Sequence, residues 1–225
     1  MNNNVVILAG GSGLRMGADR PKQFLPLGDK PVIYRTIDAF CQLSFPVNIY
    51  VVLPPGAEAL WETLVSAYSL PQPCHLLTGG LTRFHSVRNA LALLPSEGLT
   101  AIHDGVRPLV DKNLIERCFT LALEYPAVIP VRKVVESMRQ ITGKESHPVD
   151  RQAYITIQTP QVFHTDILKE AYKQAYLPDF TDDATVVEKI GCPLFFIEGS
   201  LQNIKITTPE DLKFASLLVG GDGIS

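Results

Sequence analysis

Val5-Val6-Ile7-Leu8-Ala9-Gly10-Gly11-Ser12-Gly13-Leu14-Arg15-Met16-Gly17, with Pro21-Lys22-Gln23-Phe24 shortly after, decides how the rest of the chain is read. An apolar run from Val5 to Ala9 ends in three glycines within four residues. Such a run, closed by glycine, predicts a buried parallel strand opening into a loop. Glycine lets backbone approach a ligand and turn successive N–H groups onto a phosphate. Arg15 and Lys22 place two permanent cations beside that loop, so the stretch reads as a triphosphate cradle. A dinucleotide fingerprint begun at Gly11 would need a third glycine where Met16 stands. A P-loop begun at Gly10 or Gly11 would need Gly-Lys-Ser/Thr where Arg15-Met16-Gly17 or Met16-Gly17-Ala18 stand. The plainer alternative is a glycine-rich surface turn with two solvated cations.

Working outward, 225 residues suit one large α/β domain with a sizeable core. An apolar content of 46% against 19% charged is that of a globular chain. A net charge of −3 gives no general footprint for nucleic acid or an anionic membrane, so any polyanion bound must be small and locally held. No run approaches the roughly 18 apolar residues of a membrane span, and no secretory leader pattern opens the sequence. Cys41, Cys74, Cys118 and Cys192 lie far apart without a C-x-x-C, which argues against zinc and against a disulfide framework. A cytoplasmic address is the resulting expectation.

Helical spacing predicts a helix over about 31–43, and Val47 to Leu53 a second strand ended by Pro54-Pro55-Gly56. A helix over about 57–69 and a short strand from Cys74 to Leu77 follow. This alternation predicts right-handed βαβ units, hence an α/β fold with a mainly parallel sheet and helices on both faces. Gly79-Gly80 then precedes Thr82, a plausible N-cap for a helix carrying Val87, Ala90, Leu91 and Leu94. That loop either presents N–H groups to an anion or a base edge, or is an ordinary strand-to-helix turn.

Leu99 to His103 is a further strand, with Asp104-Gly105-Val106-Arg107-Pro108 just past its carboxyl end, where open α/β sheets bind ligands. Asp104 is placed either to hold a divalent cation, Mg²⁺ for phosphates, or to pair with Arg107 in a turn. His103 has no second His or Cys at ligand spacing and reads as a satisfied core histidine. After the strand Ala127 to Val131, the stretch Lys133 to Gln158 breaks the rhythm and predicts a projecting hairpin arm. An isolated hairpin is marginal in water, so it is expected to pack on a partner subunit in a homodimer. A helix is expected over about 165–176, and Asp182-Asp183 open another, their charges suited to its N-terminus. Leu194 to Glu198 is a late strand, and Thr208-Pro209-Glu210-Asp211 starts the last helix by cap, Pro at N1 and first-turn acids.

LAGGSGLRMG, PKQF, Gly79 to Val87 as GG-x-x-R-x-x-SV, HDGVRP, VDR, QTPQVF, TDDA, and Asn203 to Leu212 as NIKITTPEDL follow one another over nearly the whole chain. Together they resemble the 2-C-methyl-D-erythritol 4-phosphate cytidylyltransferase family of the non-mevalonate isoprenoid pathway. The resemblance implies one Rossmann-like three-layer nucleotidyltransferase domain over 1–225, with a dimerising β-arm at about 133–158. It implies transfer of CMP from CTP to methylerythritol phosphate with release of pyrophosphate, assisted by Mg²⁺. By the same resemblance, Arg15 and Lys22 stabilise the transition state at the α-phosphate. Ala9, Gly10, Gly11, Gly79, Gly80 and Ser86 contact CTP, and Asp104 is linked to the metal. Arg151 and Lys205 position the methylerythritol phosphate, with Arg107, Ser137 and Thr159 as further substrate contacts, and Arg151 reaches the neighbouring subunit's site. Leu81 departs from the acidic residue many members carry, and Arg132 to Ser137 is longer than the common pattern.

The chemistry agrees with that implication. An attacking phosphate is already ionised and needs no nucleophilic Ser or Cys and no general base, so catalysis reduces to positioning and charge neutralisation. A cytidylyltransferase acting on ribitol 5-phosphate is the nearest alternative. A nicotinamide oxidoreductase and a non-catalytic nucleotide sensor are the other classes to separate.

Overall fold

The computed structural model describes residues 2–11 and 21–220; Arg15 lies outside the described residues. The chain opens with β1 (Asn3–Leu8), and β2 (Pro26–Leu27) and β3 (Lys30–Pro31) form a small antiparallel pair around Gly28. Alternation follows: α1 (Val32–Cys41), β4 (Asn48–Leu53), α2 (Glu58–Ala67), β5 (Cys74–Thr78), α3 (Arg83–Leu91), β6 (Leu99–Asp104) and α4 (Lys112–Leu121). Then come β7 (Ala127–Lys133), β8 (Met138–Thr142), β9 (Glu145–Val149), β10 (Ile155–Ile157) and β11 (Gln161–His164). The chain closes with α5 (Thr165–Ala171), α6 (Asp183–Glu188), β12 (Phe195–Glu198) and α7 (Pro209–Gly220).

Eight strands make one sheet, in which β5, β4, β1 and β6 run parallel side by side. Beyond β6 lies β11, antiparallel to both β6 and β7, and β12 runs parallel to β7. Val128 pairs with Val162 on one side and Phe195 on the other, so β11 and β12 flank opposite edges of β7. The sheet is therefore mainly parallel, as the βαβ alternation predicts.

Alternate strand residues face opposite sides. Val5 and Ile7 join Ile33, Ile37 and Phe40 of α1, Trp61 of α2 and Ile115 of α4 in one core layer. Val6 and Val52 join Phe84 and Val87 of α3, Leu168 of α5 and Val187 of α6 in the other. A third small cluster seats Ala215 of α7 on Leu27, Val106 and Ile206. The result is three layers, helices on both faces of the sheet.

The interruption after β7 is a hairpin, but a shorter one than the polarity pattern suggests. Among the described residues, strands β8 and β9 pair only with each other, across a turn in which Gly143 holds φ 63. Tyr154 to Ile157, expected in the arm, instead brings the chain home: Ile155–Ile157 pairs antiparallel with Val131 to Lys133 as β10 of the main sheet. Helix α5 also stops at Ala171, short of the expected 176, and the chain coils so that Tyr172 lies against Asp183.

Candidate active site

Among the described residues, Gly10-Gly11, Gly79-Gly80 and Gly105 each sit past the carboxyl end of a parallel strand. Three backbone bonds stitch these ends together: Ala9 N–H to Val52 O at 2.8 Å, Gly79 N–H to Leu53 O at 2.7 Å and Gly105 N–H to Leu8 O at 2.9 Å. Gln23 is buried beneath the first loop and donates through Nε2 to Ala9 O at 2.5 Å and to Gly11 O at 3.3 Å. Its two bridged carbonyls face inward, toward the amide.

The second loop is fixed by close packing. Ser86 Oγ accepts the Gly80 N–H at 3.0 Å and donates to Thr82 O at 3.0 Å, while Thr82 caps α3 as predicted. A Cβ on Gly80 would stand 2.5 Å from His85 Cβ and 2.9 Å from His85 C, so only glycine fits without a shift. Ala9, Gly10, Gly11, Lys22, Gly80, Ser86 and Asp104 all line one cavity of about 320 Å³. Leu81, at 96% exposure, stands at its wall.

A second cavity of about 260 Å³ is lined by Arg107, Gln158, Thr159, Gln161, Asp182 and their neighbours. Arg83, Asp104 and Lys205 line both cavities and so form their common wall. A wider hollow of about 670 Å³ between α3 and α5 shares none of these residues and carries none of the sequence motifs above.

Asp104 is the electrostatic centre. Its Oδ2 receives Arg107 Nε at 3.1 Å and Lys205 Nζ at 3.1 Å. Burial works to raise its pKa, but Lys205, Arg83 and Arg107 outweigh that and hold the carboxyl well below its usual range. The turn pairing with Arg107 is thus present. It does not displace the cation reading, because Asp104 is the single acidic side chain lining the first cavity among the described residues. No group of three or more His, Cys, Asp or Glu that could cage a metal occurs among the described residues. A single carboxylate lining a cavity is a donor set of the kind Mg²⁺ takes, since that ion keeps several waters and is held by one or two carboxylates plus substrate phosphates.

Arg107 also donates through Nη1 to Asn203 O at 2.7 Å, fixing the segment that carries Lys205. Asn203 Nδ2 in turn donates to Thr159 O at 2.7 Å. Gln158 joins the same seam, donating to Ser200 O at 2.8 Å and accepting the Ser200 N–H at 3.1 Å. His103 is a satisfied core histidine, both ring nitrogens bonded, and burial pushes its pKa down to about 4.

Arg83 was given no role by the sequence beyond its place in the motif, yet it lines both cavities. Its Nη2 lies 2.5 Å from Asp183 Oδ2, and Tyr172 OH donates to Asp183 Oδ1 at 2.5 Å. Burial opposes the guanidinium charge, and Asp183 more than restores it. The two acids of Thr181-Asp182-Asp183 therefore differ. Asp182 caps α6, accepting the Thr185 N–H at 3.0 Å, whereas Asp183 is fully buried and bound to Arg83. A helix-dipole argument accounts for the first and misses the second.

Arg151 and Ser137 line neither cavity of their own chain. Arg151 sits in a one-turn helix after the arm and donates to Val135 O, and Ser137 is exposed.

Comparison with known proteins now bears on this site. Residues 4–220 match the family model described as 2-C-methyl-D-erythritol 4-phosphate cytidylyltransferase. The enzyme of that name from Phocaeicola vulgatus is 49% identical over 219 residues, 97% of this chain and 100% of that one. The one from Porphyromonas gingivalis is 46% identical over 215 residues, 95% of this chain and 96% of that one. Among solved structures, a 4-diphosphocytidyl-2C-methyl-D-erythritol synthase from Anaerococcus prevotii superposes with TM-score 0.81 at 26% identity, covering 97% of this chain and 96% of that one. The Thermus thermophilus cytidylyltransferase gives TM-score 0.75 at 30% identity, covering 95% and 97%. With residues 4–220 matched by the family model and these relatives 46–49% identical over nearly the whole chain, the chain belongs to the 2-C-methyl-D-erythritol 4-phosphate cytidylyltransferase family.

Proposed function

We propose that the two cavities hold the two reactants of this family's reaction, CTP in the first and 2-C-methyl-D-erythritol 4-phosphate in the second. The reaction transfers CMP to the sugar phosphate, giving 4-diphosphocytidyl-2-C-methyl-D-erythritol and pyrophosphate, a step toward isoprenoid precursors. The observation that carries the assignment of cavities is their common wall of Arg83, Asp104 and Lys205. A phosphate in the second cavity meets the α-phosphate of a nucleotide in the first across that wall.

An oxygen of the acceptor phosphate attacks the α-phosphorus, and the bond from that phosphorus to the oxygen bridging to the β-phosphate breaks. No proton need move, so no general base is required. The obstacle is the approach of two anions. A unit cation about 4 Å from a developing charge is worth roughly 4 kcal/mol at an effective dielectric near 20. Lys22 and Arg15 serve the α-phosphate, and Lys205 and Arg107 serve the acceptor. The N–H groups of the glycine loops supply further donors to the nucleotide. Asp104 would hold Mg²⁺, which supplies charge neutralisation on the phosphates when bound.

The exposed arm supports a homodimer. Val135 and Ile141 are 67% and 76% exposed, and Arg151 lies outside its own chain's cavities. A partner's arm covering the second cavity would bury these apolar groups and bring Arg151 to the acceptor phosphate. Among the described residues no helix is long and apolar enough to cross a membrane.

The test is pyrophosphate release from CTP with Mg²⁺, using methylerythritol 4-phosphate or ribitol 5-phosphate as acceptor and UTP, ATP and GTP in parallel. Release that needs methylerythritol phosphate and prefers CTP is expected. Release with ribitol phosphate alone would move the enzyme to the sister activity. In the same assay Lys22→Ala is expected to lower kcat by about 10²-fold or more, the range for losing a preorganised charge donor. Near-normal turnover in that variant would remove Lys22 from the mechanism.

A further inference from the structure

Two polar contacts converge on one residue that the charge-neutralisation scheme does not use, and a third extends the chain from it. His103 is fully buried in β6, its ring edge-on to Phe40 with centroids 5.0 Å apart. Its Nε2 lies 3.1 Å from Arg107 O, and its Nδ1 lies 3.1 Å from Thr159 Oγ1. Thr159 Oγ1 in turn accepts the backbone N–H of Asp104 at 3.1 Å.

The direction of every proton in this chain follows from the chemistry of its ends. A carbonyl oxygen only accepts, so His103 Nε2 carries the hydrogen and donates it to Arg107 O. In the neutral ring Nδ1 is then a bare acceptor, and the Thr159 hydroxyl must donate to it. Thr159 Oγ1 is left with its lone pairs, one of which takes the Asp104 N–H. The Thr159 proton is thereby committed inward, and what the hydroxyl offers the second cavity is an acceptor.

We infer that His103 is a positioning residue of this enzyme: by bonding Thr159 Oγ1 and Arg107 O at once, it fixes Asp104, Arg107 and Thr159 relative to one another at the shared wall. The inference rests on the assignment of that wall to the acceptor side of the site. His103 itself touches no reactant. It acts across 56 residues of sequence to Thr159, and through Arg107 it reaches the Asn203 segment that carries Lys205. A histidine is suited to this place because it presents one acceptor and one donor on opposite sides of a rigid ring. A carboxamide offers both on one short fork, and a phenyl ring offers neither.

The experiment uses full-length His103→Phe, His103→Asn, Thr159→Val and the His103→Phe/Thr159→Val pair. CTP and methylerythritol phosphate are varied separately, with thermal unfolding followed alongside. His103→Phe keeps the ring and the packing on Phe40 and leaves the Thr159 hydroxyl and Arg107 carbonyl unmet. It is expected to lower kcat/KM for the acceptor by about 10- to 100-fold, the usual range for orphaning buried polar partners. KM for CTP is expected to change by less than the acceptor loss, because the glycine loops are untouched and His103 bears on the first cavity only indirectly, through Asp104. The side-chain amide of His103→Asn stands where Nδ1 stood and can accept from Thr159, so it should recover at least half of the loss on a logarithmic scale. Combining His103→Phe with Thr159→Val should cost clearly less than the product of the two single losses, since the two share the bond between Thr159 Oγ1 and His103 Nδ1, while only His103→Phe also frees Arg107 O.

Losses that multiply in the pair, an Asn variant as impaired as Phe, or a Phe variant with normal acceptor kinetics would each overturn the inference. If His103→Phe does not fold, the same comparison is made with His103→Asn and Thr159→Val. Should Thr159→Val alone leave acceptor kinetics unchanged, the assignment of the second cavity fails and takes the inference with it. A defect in Thr159→Val that is independent of His103 overturns the inference alone.

Discussion

The two cavities meet at Arg83, Asp104 and Lys205, yet they are built from different material. In the cavity proposed for the nucleotide, one part of the wall is main chain: Ala9, Gly10, Gly11 and Gly80, held by strand-end hydrogen bonds and by the side chains of Gln23 and Ser86. The acceptor side is mostly side chain: Arg107, Gln158, Thr159, Gln161 and Asp182. These are fastened to each other by bonds from segments that lie far apart in sequence. A main-chain wall is rigid because the sheet is rigid, and a substitution there acts locally. A wall of side chains is only as well placed as its supporting network, and a change at one end is felt at the other.

The most disruptive test of this contrast is at the common wall. Asp183 is fully buried and its two oxygens are occupied by Arg83 and Tyr172. Asp183→Ala leaves a guanidinium without its counter-charge. Breaking a buried pair from one side costs about 3–5 kcal/mol, and the low end applies because the Arg83 side chain is 28% exposed. For a chain of this size, about 3 kcal/mol corresponds to a fall in Tm of roughly 6–12 °C. Since Arg83 faces both cavities, kcat/KM should fall for CTP and for the acceptor together. A loss confined to one reactant would show that the wall is not shared in function.

Gly80→Ala should separate the two sides. A Cβ at this position meets His85 main chain, so the loop must move out of register with Ser86. KM for CTP is expected to rise by about tenfold with acceptor KM and Tm little changed, the pattern for losing uniform binding of one reactant. Equal effects on both reactants would contradict a nucleotide side built independently of the acceptor side.

The same contrast explains what the sequence made legible. The glycine loops are local: a strand, its terminal glycines and the following cap are contiguous, so their chemistry and their place at a strand's carboxyl end can be read together. Asp104 is legible for the same reason, as a strand runs straight into its turn. Arg83 and Asp183 are 100 residues apart and Thr159 and Asn203 are 44 apart, and no periodicity reports a bond between them. Asp183 was hidden behind Asp182, whose capping role satisfied the local pattern. The arm shows the limit from the other direction. Polar alternation announces a hairpin, but it is the pairing of Ile157 with Val131 that returns the chain to the sheet, and that pairing depends on a neighbour the local pattern does not contain.

The smallest effect expected lies at the outer support of the acceptor side. Thr208 and Asp211 form a reciprocal capping box at the start of α7: Asp211 N–H donates to Thr208 Oγ1 at 3.2 Å, and Asp211 Oδ2 accepts the N–H groups of Thr207 and Thr208, each at 2.8 Å. This box ends the segment that carries Lys205, two residues before Thr207. Burial works to raise the Asp211 pKa, but the bonds from Thr207 and Thr208 prevail and lower it. A carboxyl depressed in the folded state contributes stability above its ordinary pKa of about 4, and that contribution is lost as the pH falls through the folded value. Asp211→Asn should therefore cost about 1 kcal/mol at neutral pH, the usual worth of a cap, or roughly 2–4 °C in Tm. In melts taken from pH 7 downward the gap to the parent should hold steady and then close as the pH drops below about 4. A gap that persists undiminished in acid would mean that the Asp211 charge is not what secures the helix start. If the closing gap is accompanied by a rise in acceptor KM of about twofold at neutral pH with CTP unaffected, the outermost cap is shown to bear on Lys205, as a wall made of side chains requires.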